Sequence, residues 1–257
     1  MNKSIVVVGL GEMGSVFARG FLRSAYTVHP VVRGVEMQAV AESLQRCGDE
    51  AELVVIAVGE ADLSEQLAKV PEAWKDRLVL LQNELLPAGW QRYGLEPTVI
   101  SVWFEKKKGM DSKVIIPSPV YGRHAQQVID ALASIGISAR KLSDEAALLH
   151  ELVLKNVYIL TTNIAGLEVG GNVGQLWQEH RDLATAVASE VIALQQALTG
   201  QALNTQALID SMVEVFNGDL EHMCMGRSAP ARLKRALSQA DEKGLTLETL
   251  QRISQLS

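Results

Sequence analysis

The stretch VVVGLGEMG, residues 6–14, places three glycines between an apolar run and a helix-like segment. Gly9, Gly11 and Gly14 fit the G-x-G-x-x-G pattern of dinucleotide-binding folds. In that pattern the first glycine allows a tight turn, the second lets the backbone approach a pyrophosphate, and the third permits close helix–strand packing. The following helix offers free N–H groups and its positive dipole end to the phosphates. The stretch therefore predicts a Rossmann fold with a dinucleotide site; a structural turn on the same fold is the alternative.

The second strand-like run indicates which dinucleotide binds. TVHPVVRG, residues 27–34, carries Arg33 near its end, where enzymes that use NAD usually place an acidic residue for the ribose 2′-hydroxyl. The stretch contains no acid after His29. Because an arginine suits a 2′-phosphate through charge-assisted contacts, the sequence predicts NADP(H). An exposed basic turn residue is the alternative.

Short β-branched runs alternate with helical patterns through the first half of the chain. Such continuous Val/Ile runs predict a parallel sheet covered on both faces. Residues 113–122 are expected to add an edge strand, because Pro117 and Pro119 do not suit a central one. The main runs are residues 4–9, 27–32, 52–58, 77–82 and 98–103.

After about Ser143 the pattern becomes helical throughout. Ser143 is expected to cap a helix whose first turn is acidic. Apolar residues then recur at helical spacing to the end of the chain. The sequence thus predicts an α/β fold, with a doubly wound Rossmann sheet in residues 1–143. An all-helical domain for substrate binding and dimerisation is expected in residues 144–257.

Composition narrows the range of partners. With 257 residues, of which 47% are hydrophobic, the chain can bury one large core or two smaller ones. A net charge of −6, with no basic run beyond Lys106–Lys107–Lys108, disfavours nucleic acid as a partner. Cys47 and Cys224 form no metal-binding motif, so we expect free thiols and no metal site. No stretch reaches the roughly 18 apolar residues of a membrane span, so we expect a soluble, cytoplasmic protein.

One lysine stands out in the opening helix of the predicted second domain. LVLKNVYILTTNIAGL, residues 152–167, is apolar around the whole helical wheel and carries one formal charge, on Lys155. A helix that is apolar on every side is normally buried. Because desolvating an ammonium group raises its free energy, a lysine there needs a compensating partner or a function.

The order of these motifs resembles the ketopantoate reductase (2-dehydropantoate 2-reductase) family, within the 6-phosphogluconate-dehydrogenase-like group. The resemblance is carried by the glycine loop, Arg33, the pair Gln82–Asn83 after the fourth strand, and Lys155 eight residues before Asn163. It implies that Asn83 borders the nicotinamide, that Lys155 donates the proton, and that Asn163 holds the substrate. The expected cofactor-binding residues are Gly9, Leu10, Gly11, Glu12, Met13, Gly14, Arg33 and Asn83.

The implied chemistry gives the lysine a target. A ketone that receives hydride develops negative charge on its oxygen, which an ammonium group can stabilise and then protonate. Lys155 and Asn163 are separated by about 12 Å along a helix, so both are expected to line one long cleft. The alternative pairs Lys155 with Glu151 in an ordinary i,i+4 salt bridge.

Three departures from the family pattern change the expected pocket. The family asparagine four residues after the lysine is Ile159 here, the lysine after the third strand matches Gly59, and the late glutamate falls near Ser228, with no acid adjacent. Arg227 and Ser228 are the candidate replacements as substrate contacts, Arg227 being suited to a carboxylate. Packing of a Met-rich turn is the alternative. Fewer polar groups in the pocket predict a substrate with a more apolar body than ketopantoate.

The sequence therefore predicts an NADPH-dependent oxidoreductase that reduces a small 2-oxo acid or related carbonyl compound, and a homodimer is expected. Two alternatives stay open. One is a β-hydroxyacid dehydrogenase-like enzyme, because GLGEMG also resembles the opening of that family. The other is a non-catalytic protein that senses NADP(H) after losing its substrate residues.

Overall fold

The structure, a computed structural model, describes residues 3–106 and 109–256. Lys107 and Lys108 of the basic triplet lie outside the described residues. The chain divides into two compact units, Met1–Leu152 and Val153–Ser257, here called the first and the second unit. The division falls inside one helix, Glu145–Val169. The domain boundary predicted at residues 143 and 144 lies just before that helix.

The strands of the first unit form one large sheet and one small one. They are β1 (Ser4–Val8), β2 (Thr27–Val31), β3 (Ala51–Ile56), β4 (Leu78–Leu80), β5 (Thr98–Ile100), β6 (Phe104–Glu105), β7 (Lys113–Val114), β8 (Ser118–Tyr121) and β9 (Ala139–Lys141). The large sheet has the order β2-β1-β3-β4-β5-β8-β9, while β6 and β7 pair separately. Strands β1 to β5 are parallel, β8 is antiparallel to β5, and β9 is parallel to β8.

Side chains of the central strands alternate between two hydrophobic cores. In β1, Val6 and Val8 belong to one core, while Ile5 and Val7 belong to the other. This alternation follows from the period of two of a β-strand. All residues of β1 are buried. The continuous β-branched runs therefore fill both faces of a covered parallel sheet, as predicted.

Helices pack on the sheet and make up most of the second unit. They are α1 (Glu12–Arg23), α2 (Met37–Arg46), α3 (Leu63–Ala68), α4 (Ala88–Gln91), α5 (Ala125–Ala133), α6 (Glu145–Val169), α7 (Val173–Glu179), α8 (Arg181–Thr199), α9 (Thr205–Phe216), α10 (Ala229–Glu242) and α11 (Glu248–Ser254), with a 3-10 turn at Glu72–Trp74. In the second unit, α8 contacts α7, α9, α10 and α11. Within residues 3–106 and 109–256, no helix combines the length and apolar character needed to cross a membrane.

The chain reverses its direction across the sheet next to β1. Because β1 lies between β2 and β3, the connection through α1 leads to one side of it and the connection through α2 leads to the other. Ligands of doubly wound sheets bind beyond the carboxyl ends of the strands at such a point. The loops that follow β1, β2 and β3 are therefore the expected ligand-binding region of the first unit.

The edge strand predicted within residues 113–122 is wrong for β8, whereas β7 pairs with β6 in the separate two-stranded sheet. Strand β8 lies inside the sheet between β5 and β9, and β9 forms the edge. Pro119 is tolerated there because it takes part as an acceptor: its carbonyl accepts a hydrogen bond from the Ser101 N–H at 2.9 Å. The sequence does not mark β9 as a strand, because ARK contains no β-branched or aromatic residue.

The start of α6 also differs from the prediction. The Asp144 carboxylate, and not the Ser143 hydroxyl, accepts a hydrogen bond from the Ala147 N–H at 2.8 Å. The Ser143 hydroxyl donates to the same carboxylate at 2.7 Å. Both hydrogen bonds lower the pKa of Asp144, and the bond from Ala147 has the larger effect. Serine and aspartate are both favourable caps, so the sequence alone does not decide between two neighbours.

Candidate functional site

The glycine loop is held at the carboxyl ends of three neighbouring strands. The Gly9 N–H donates to the Val31 carbonyl at the end of β2 (2.9 Å), and the Ala57 N–H, just after β3, donates to the Val8 carbonyl (2.7 Å). Gly9 has a φ of +88°. A Cβ at this position would lie 2.7 Å from the Ala57 carbonyl oxygen. Both the backbone conformation and this close approach require glycine.

Gly14 and Gly11 have different reasons to be glycine. A Cβ on Gly14 would overlap the Gly9 carbonyl oxygen, so α1 can pack against the loop only with glycine here. A Cβ on Gly11 would meet no described atom within 4 Å. Gly11 has an ordinary φ of −69° and is the N-cap of α1, with no side chain to cap the first amides. The described part of the fold therefore does not require glycine at this position.

The other residues of the loop differ in their exposure. Leu10 and Glu12 are exposed, while Met13 is half-buried against one of the two cores of the sheet. The Glu12 carboxylate lies 4.0 Å from the Lys106 ammonium group. The negative charge of Glu12 at the N-terminus of α1 is therefore close to a compensating positive charge.

Arg33 lies in the exposed turn that follows β2. A hydrogen bond from the Val35 N–H to the Val32 carbonyl closes this turn at 2.9 Å. The first carboxylate after β2 is Glu36, which is also exposed and immediately precedes α2. Arg33 and Glu36 are therefore the two charged side chains in this exposed turn.

Gln82 and Asn83 follow β4 and reach back to the end of β3. Gln82 is buried, and its Nε2 donates to the Ile56 carbonyl at 2.6 Å and to the Val58 carbonyl at 3.2 Å. The Asn83 Nδ2 donates to the Glu60 carboxylate at 3.1 Å. Gln82 therefore joins two strand ends, while Glu60, which the sequence analysis did not single out, orients the Asn83 amide.

Lys155 is buried in the second unit, as the sequence predicts. Every residue from 151 to 166 is buried, and Lys155 itself is 9% exposed. Burial, and after it the positive charge of Arg232, lowers the pKa of Lys155 to about 7. The Lys155 Nζ lies 5.8 Å from the centre of the Tyr158 ring. An ammonium group with so low a pKa gives up its proton near neutral pH, which suits a proton donor.

The surrounding charges disfavour the alternative role of Lys155, a salt bridge with Glu151. The Glu151 carboxylate accepts a hydrogen bond from the Arg140 guanidinium on β9. A carboxylate beside Lys155 would raise the pKa of the lysine, because it favours the charged form. The pKa is lowered instead. Desolvation therefore dominates the state of this lysine.

Asn163 is engaged at both ends of its side-chain amide. Its Oδ1 accepts a hydrogen bond from the Arg232 Nη1 at 2.8 Å. Its Nδ2 donates to the Cys224 carbonyl at 3.2 Å. The Cys224 thiol is free, and burial raises its pKa to about 11, so it stays protonated at neutral pH. The second unit thus brings Lys155 and Asn163 together with Arg232, a residue that the sequence analysis missed.

Arg227 and Ser228 are exposed, in the segment just before α10. The Ser228 carbonyl accepts a hydrogen bond from the Arg232 N–H at 2.9 Å, one helical turn later. Substrate binding by Arg227 and Ser228 stays a prediction. The sequence does carry a signal for Arg232, because a positive charge close to a helix N-terminus is disfavoured by the helix dipole unless another interaction compensates.

No family model matches the chain, and no curated protein matches its sequence. Solved structures match it in fold. A ketopantoate reductase of the PanE/ApbA family from Ralstonia eutropha JMP134 has a TM-score of 0.69 at 15% identity, covering 98% of this chain and 96% of its own. D-mandelate dehydrogenase with NADH has a TM-score of 0.69 at 12% identity, covering 98% of this chain and 97% of its own. A dimeric ketopantoate reductase from Staphylococcus aureus has a TM-score of 0.66 at 16% identity, covering 98% and 96%.

The chain therefore has the ketopantoate reductase fold, a mostly parallel sheet with helices around it followed by a helical region. The fold class predicted from the sequence is confirmed, and so is the likeness to ketopantoate reductases at the level of the fold. At these identities the likeness concerns the fold alone.

Proposed function

We propose that this protein is an oxidoreductase that uses NADP(H) to reduce a small 2-oxo acid or a related carbonyl compound, with Lys155 as the proton donor. The observation that carries the proposal is a lysine buried in the middle of an apolar helix. The same chain has a glycine loop in which no described atom lies within 4 Å of a Cβ built on Gly11. The shared fold supports it, because that fold is found in ketopantoate reductases and in a D-mandelate dehydrogenase solved with NADH.

The residues of the chain supply the proton and the charge stabilisation that this reaction needs. When bound, the reduced nicotinamide supplies a hydride to the carbonyl carbon. Negative charge then develops on the carbonyl oxygen, and the Lys155 ammonium stabilises it and donates its proton there. Because the pKa of Lys155 is about 7, its proton leaves more readily than that of an ordinary lysine, whose pKa is about 10.4.

The remaining predicted residues have roles in this proposal. The residues that border the cofactor are Gly9, Leu10, Gly11, Glu12, Met13, Gly14, Arg33 and Asn83. Those that contact the substrate or hold its pocket are Asn163, Arg227 and Ser228. A homodimer is also part of the proposal, supported by the dimeric ketopantoate reductase of the same fold.

We expect Gly11→Ala to leave the fold intact and to weaken NADPH binding by about tenfold or more, because the added Cβ would overlap the bound pyrophosphate. No described atom lies within 4 Å of the added Cβ, whereas a pyrophosphate close to the backbone would meet it. Titration of NADPH fluorescence measures binding, and thermal unfolding measures stability. Gly14→Ala is the matched contrast and should lower the unfolding midpoint, because its Cβ overlaps the Gly9 carbonyl oxygen. Unchanged affinity in folded Gly11→Ala would place the dinucleotide elsewhere.

We expect the wild-type protein to bind NADPH more tightly than NADH, and Arg33→Ala to remove most of that preference. A hydrogen bond to a charged group contributes roughly 1.5–3 kcal/mol, or about 10–100-fold in affinity. The dissociation constants of both cofactors for both proteins provide the measurement. Glu36→Gln is the control, since neutralising the other charge of the turn should not weaken NADPH binding. Equal wild-type affinities for the two cofactors would contradict the expectation.

Oxidation of NADPH with a panel of carbonyl compounds tests the proposed function. We expect turnover of small 2-oxo acids, with those of apolar body favoured over ketopantoate. Turnover of 3-oxo acids alone would favour the β-hydroxyacid dehydrogenase-like alternative. Tight binding of NADPH without turnover of any compound would favour the NADP(H)-sensing alternative.

A further inference from the structure

Residues 222–225, here called the methionine segment, are held against the C-terminal half of α6 in the second unit. The Cys224 N–H donates a hydrogen bond to the Gly171 carbonyl at 3.0 Å. The Cys224 carbonyl accepts a hydrogen bond from the Asn163 Nδ2 at 3.2 Å. Both polar backbone groups of Cys224 are therefore bonded, and the buried amide of Asn163 fixes the segment on the helix.

The methionine segment approaches α6 most closely at Gly166. A Cβ on Gly166 would lie 3.0 Å from the Cys224 Cβ and 3.1 Å from the Met225 Cβ. Both distances are shorter than ordinary contacts between carbon atoms, so the absence of a side chain at Gly166 allows the approach. Met225 therefore lies beside α6, next to the turn of the helix that carries Asn163.

The two methionines of the segment are exposed, while the cysteine between them is buried. Met223 is 58% exposed and Met225 is 48% exposed. Leu220 is also exposed, so three large apolar side chains lie at the surface within six residues of the chain. Clustered apolar side chains at a surface indicate a binding site more often than single ones do. Methionine suits such a site, because its side chain is flexible and polarisable.

The buried part of α6 keeps some exposure at a few positions. The residues that are 7–9% exposed are Leu154, Lys155, Ile159 and Asn163, whereas the others of residues 153–165 are at most 3% exposed. The last three of these four are spaced by four residues, so they follow one another along one side of the helix, about 6 Å apart. A molecule that reaches Lys155 therefore meets an apolar side chain one turn further along, at Ile159.

Met225 lies at the far end of this row. Gly166 is about 16 Å from Lys155 along the helix axis and within about 20° of it around the helix. The Met225 Cβ is the neighbour that a Cβ on Gly166 would meet. The row therefore leads from an ammonium group, past the apolar side chain of Ile159, to an exposed methionine.

We propose that Met225 binds the far end of an extended apolar substrate body, and that the preferred substrates are 2-oxo acids with a ring several atoms from the ketone. This inference rests on the proposed function and deepens it, since it defines the substrate class by the length of its apolar body. With the ketone at Lys155, the methyl group of pyruvate is too short to reach Met225. A ring two carbons from the ketone extends along Ile159 towards it. Covering the exposed methionine removes apolar surface from water, which favours binding.

The ratio of kcat/KM for 4-phenyl-2-oxobutanoate to that for pyruvate tests the proposal. The two acids share the reacting ketone and the carboxylate, and they differ in the apolar body. We expect Met225→Gln to lower this ratio about tenfold, because glutamine keeps the length of the side chain without its apolar end. The loss should appear mainly in KM, since contact with the body is the same in the ground state and the transition state. Met225→Leu stays apolar and should lower the ratio less.

Two control variants show whether the effect belongs to Met225. Met110→Gln replaces an exposed methionine of the first unit and should leave the ratio unchanged. Met223→Gln replaces the other methionine of the segment, which pairs with Asn172, and should lower the ratio less than Met225→Gln. An unchanged ratio in Met225→Gln, or an equal fall in Met225→Leu or Met223→Gln, would overturn the proposal.

Binding of two unreactive analogues separates this proposal from the proposed function. Oxamate and N-benzyloxamate are amides that do not accept a hydride, and the second carries a ring two atoms from its amide carbonyl. Calorimetry with NADPH present measures both dissociation constants. We expect the wild type to bind N-benzyloxamate at least about tenfold more tightly than oxamate. Met225→Gln, shown to be folded by thermal unfolding, should lose most of that preference.

The binding result stands even if the wild type reduces neither 2-oxo acid, an outcome in which the proposed function fails. A preference for N-benzyloxamate that depends on Met225 would still support the apolar site. No binding of N-benzyloxamate by the wild type, or an unchanged preference in Met225→Gln, would contradict it.

A second copy of this chain is the other occupant that the exposed methionines could have. Size-exclusion chromatography of the wild type and Met225→Gln at several protein concentrations distinguishes the two occupants. We expect the same oligomeric state for both proteins. Dissociation of an oligomer by Met225→Gln would assign Met225 to a contact between copies and would overturn the proposal.

Discussion

Lys155→Ala is expected to lower the turnover of a 2-oxo acid by roughly 10²–10⁴-fold, the usual size of a general-acid contribution. The variant removes the group that protonates the carbonyl oxygen in the proposed reaction. The dissociation constant of NADPH should change little, because the glycine loop belongs to a different compact unit from Lys155.

Steady-state kinetics with NADPH and phenylglyoxylate measure this loss, with Lys234→Ala as the control for an exposed lysine. In the wild type, kcat/KM should fall as the pH rises through about 7, because only protonated Lys155 donates. That pH dependence should be absent from the residual activity of Lys155→Ala. A variant with wild-type turnover would leave Lys155 with a structural role only.

Lys155→Met is expected to raise the free energy of unfolding at pH 6, by up to about 5 kcal/mol. The folded-state pKa of Lys155, about 7, lies below the ordinary value of about 10.4 in the unfolded chain. Between these values the unfolded chain binds more protons, so the stability of the wild type rises with pH across that window. Below pH 7 the destabilisation is fully present. Methionine keeps a similar side-chain volume without the charge.

Urea unfolding of both proteins at pH 6, 8 and 10 measures this difference, which should shrink as the pH rises from 7 towards 10. Lys234→Met, at an exposed position, should show no such pH dependence. If Lys155→Met is less stable than the wild type at pH 6, the ammonium group is not the source of destabilisation that its burial indicates. A gain in stability together with a loss of turnover would identify a residue that is present for function at the expense of stability.

The parts of the fold that could be predicted are those with local causes. The glycine loop could be predicted because Gly9 needs a positive φ and Gly14 lies close to the Gly9 carbonyl oxygen. Both constraints act within a few residues of the chain. Burial of α6 is readable because its composition leaves no polar face. The position of β8 in the sheet could not be predicted, because it depends on which strands pair with β8. Pro119, which argues for an edge, lies inside the sheet as a hydrogen-bond acceptor.

The candidate site shows the same limit more strongly. Lys155 is conspicuous because one charge in an apolar helix breaks a local pattern. The direction of its pKa shift follows from the predicted burial, whereas the contribution of Arg232 is not predictable, because Arg232 comes from another helix. The hydrogen bond between Asn163 and Arg232 joins residues 69 positions apart in the sequence. Sequence reasoning assigned the asparagine to the substrate, whereas the structure engages both ends of its amide within the protein.

Transfer of deuterium from NADPH labelled at carbon 4 to phenylglyoxylate tests hydride transfer by this protein most directly. NADPH carrying deuterium at the 4R or the 4S position is incubated with the protein and phenylglyoxylate. Mass spectrometry then measures the deuterium content of the mandelate formed. We expect one deuterium at carbon 2 of mandelate from one labelled cofactor and none from the other, with the same product formed far more slowly by Lys155→Ala. Unlabelled mandelate from both cofactors, or no reduction of any 2-oxo acid by protein that binds NADPH, would contradict the proposed function.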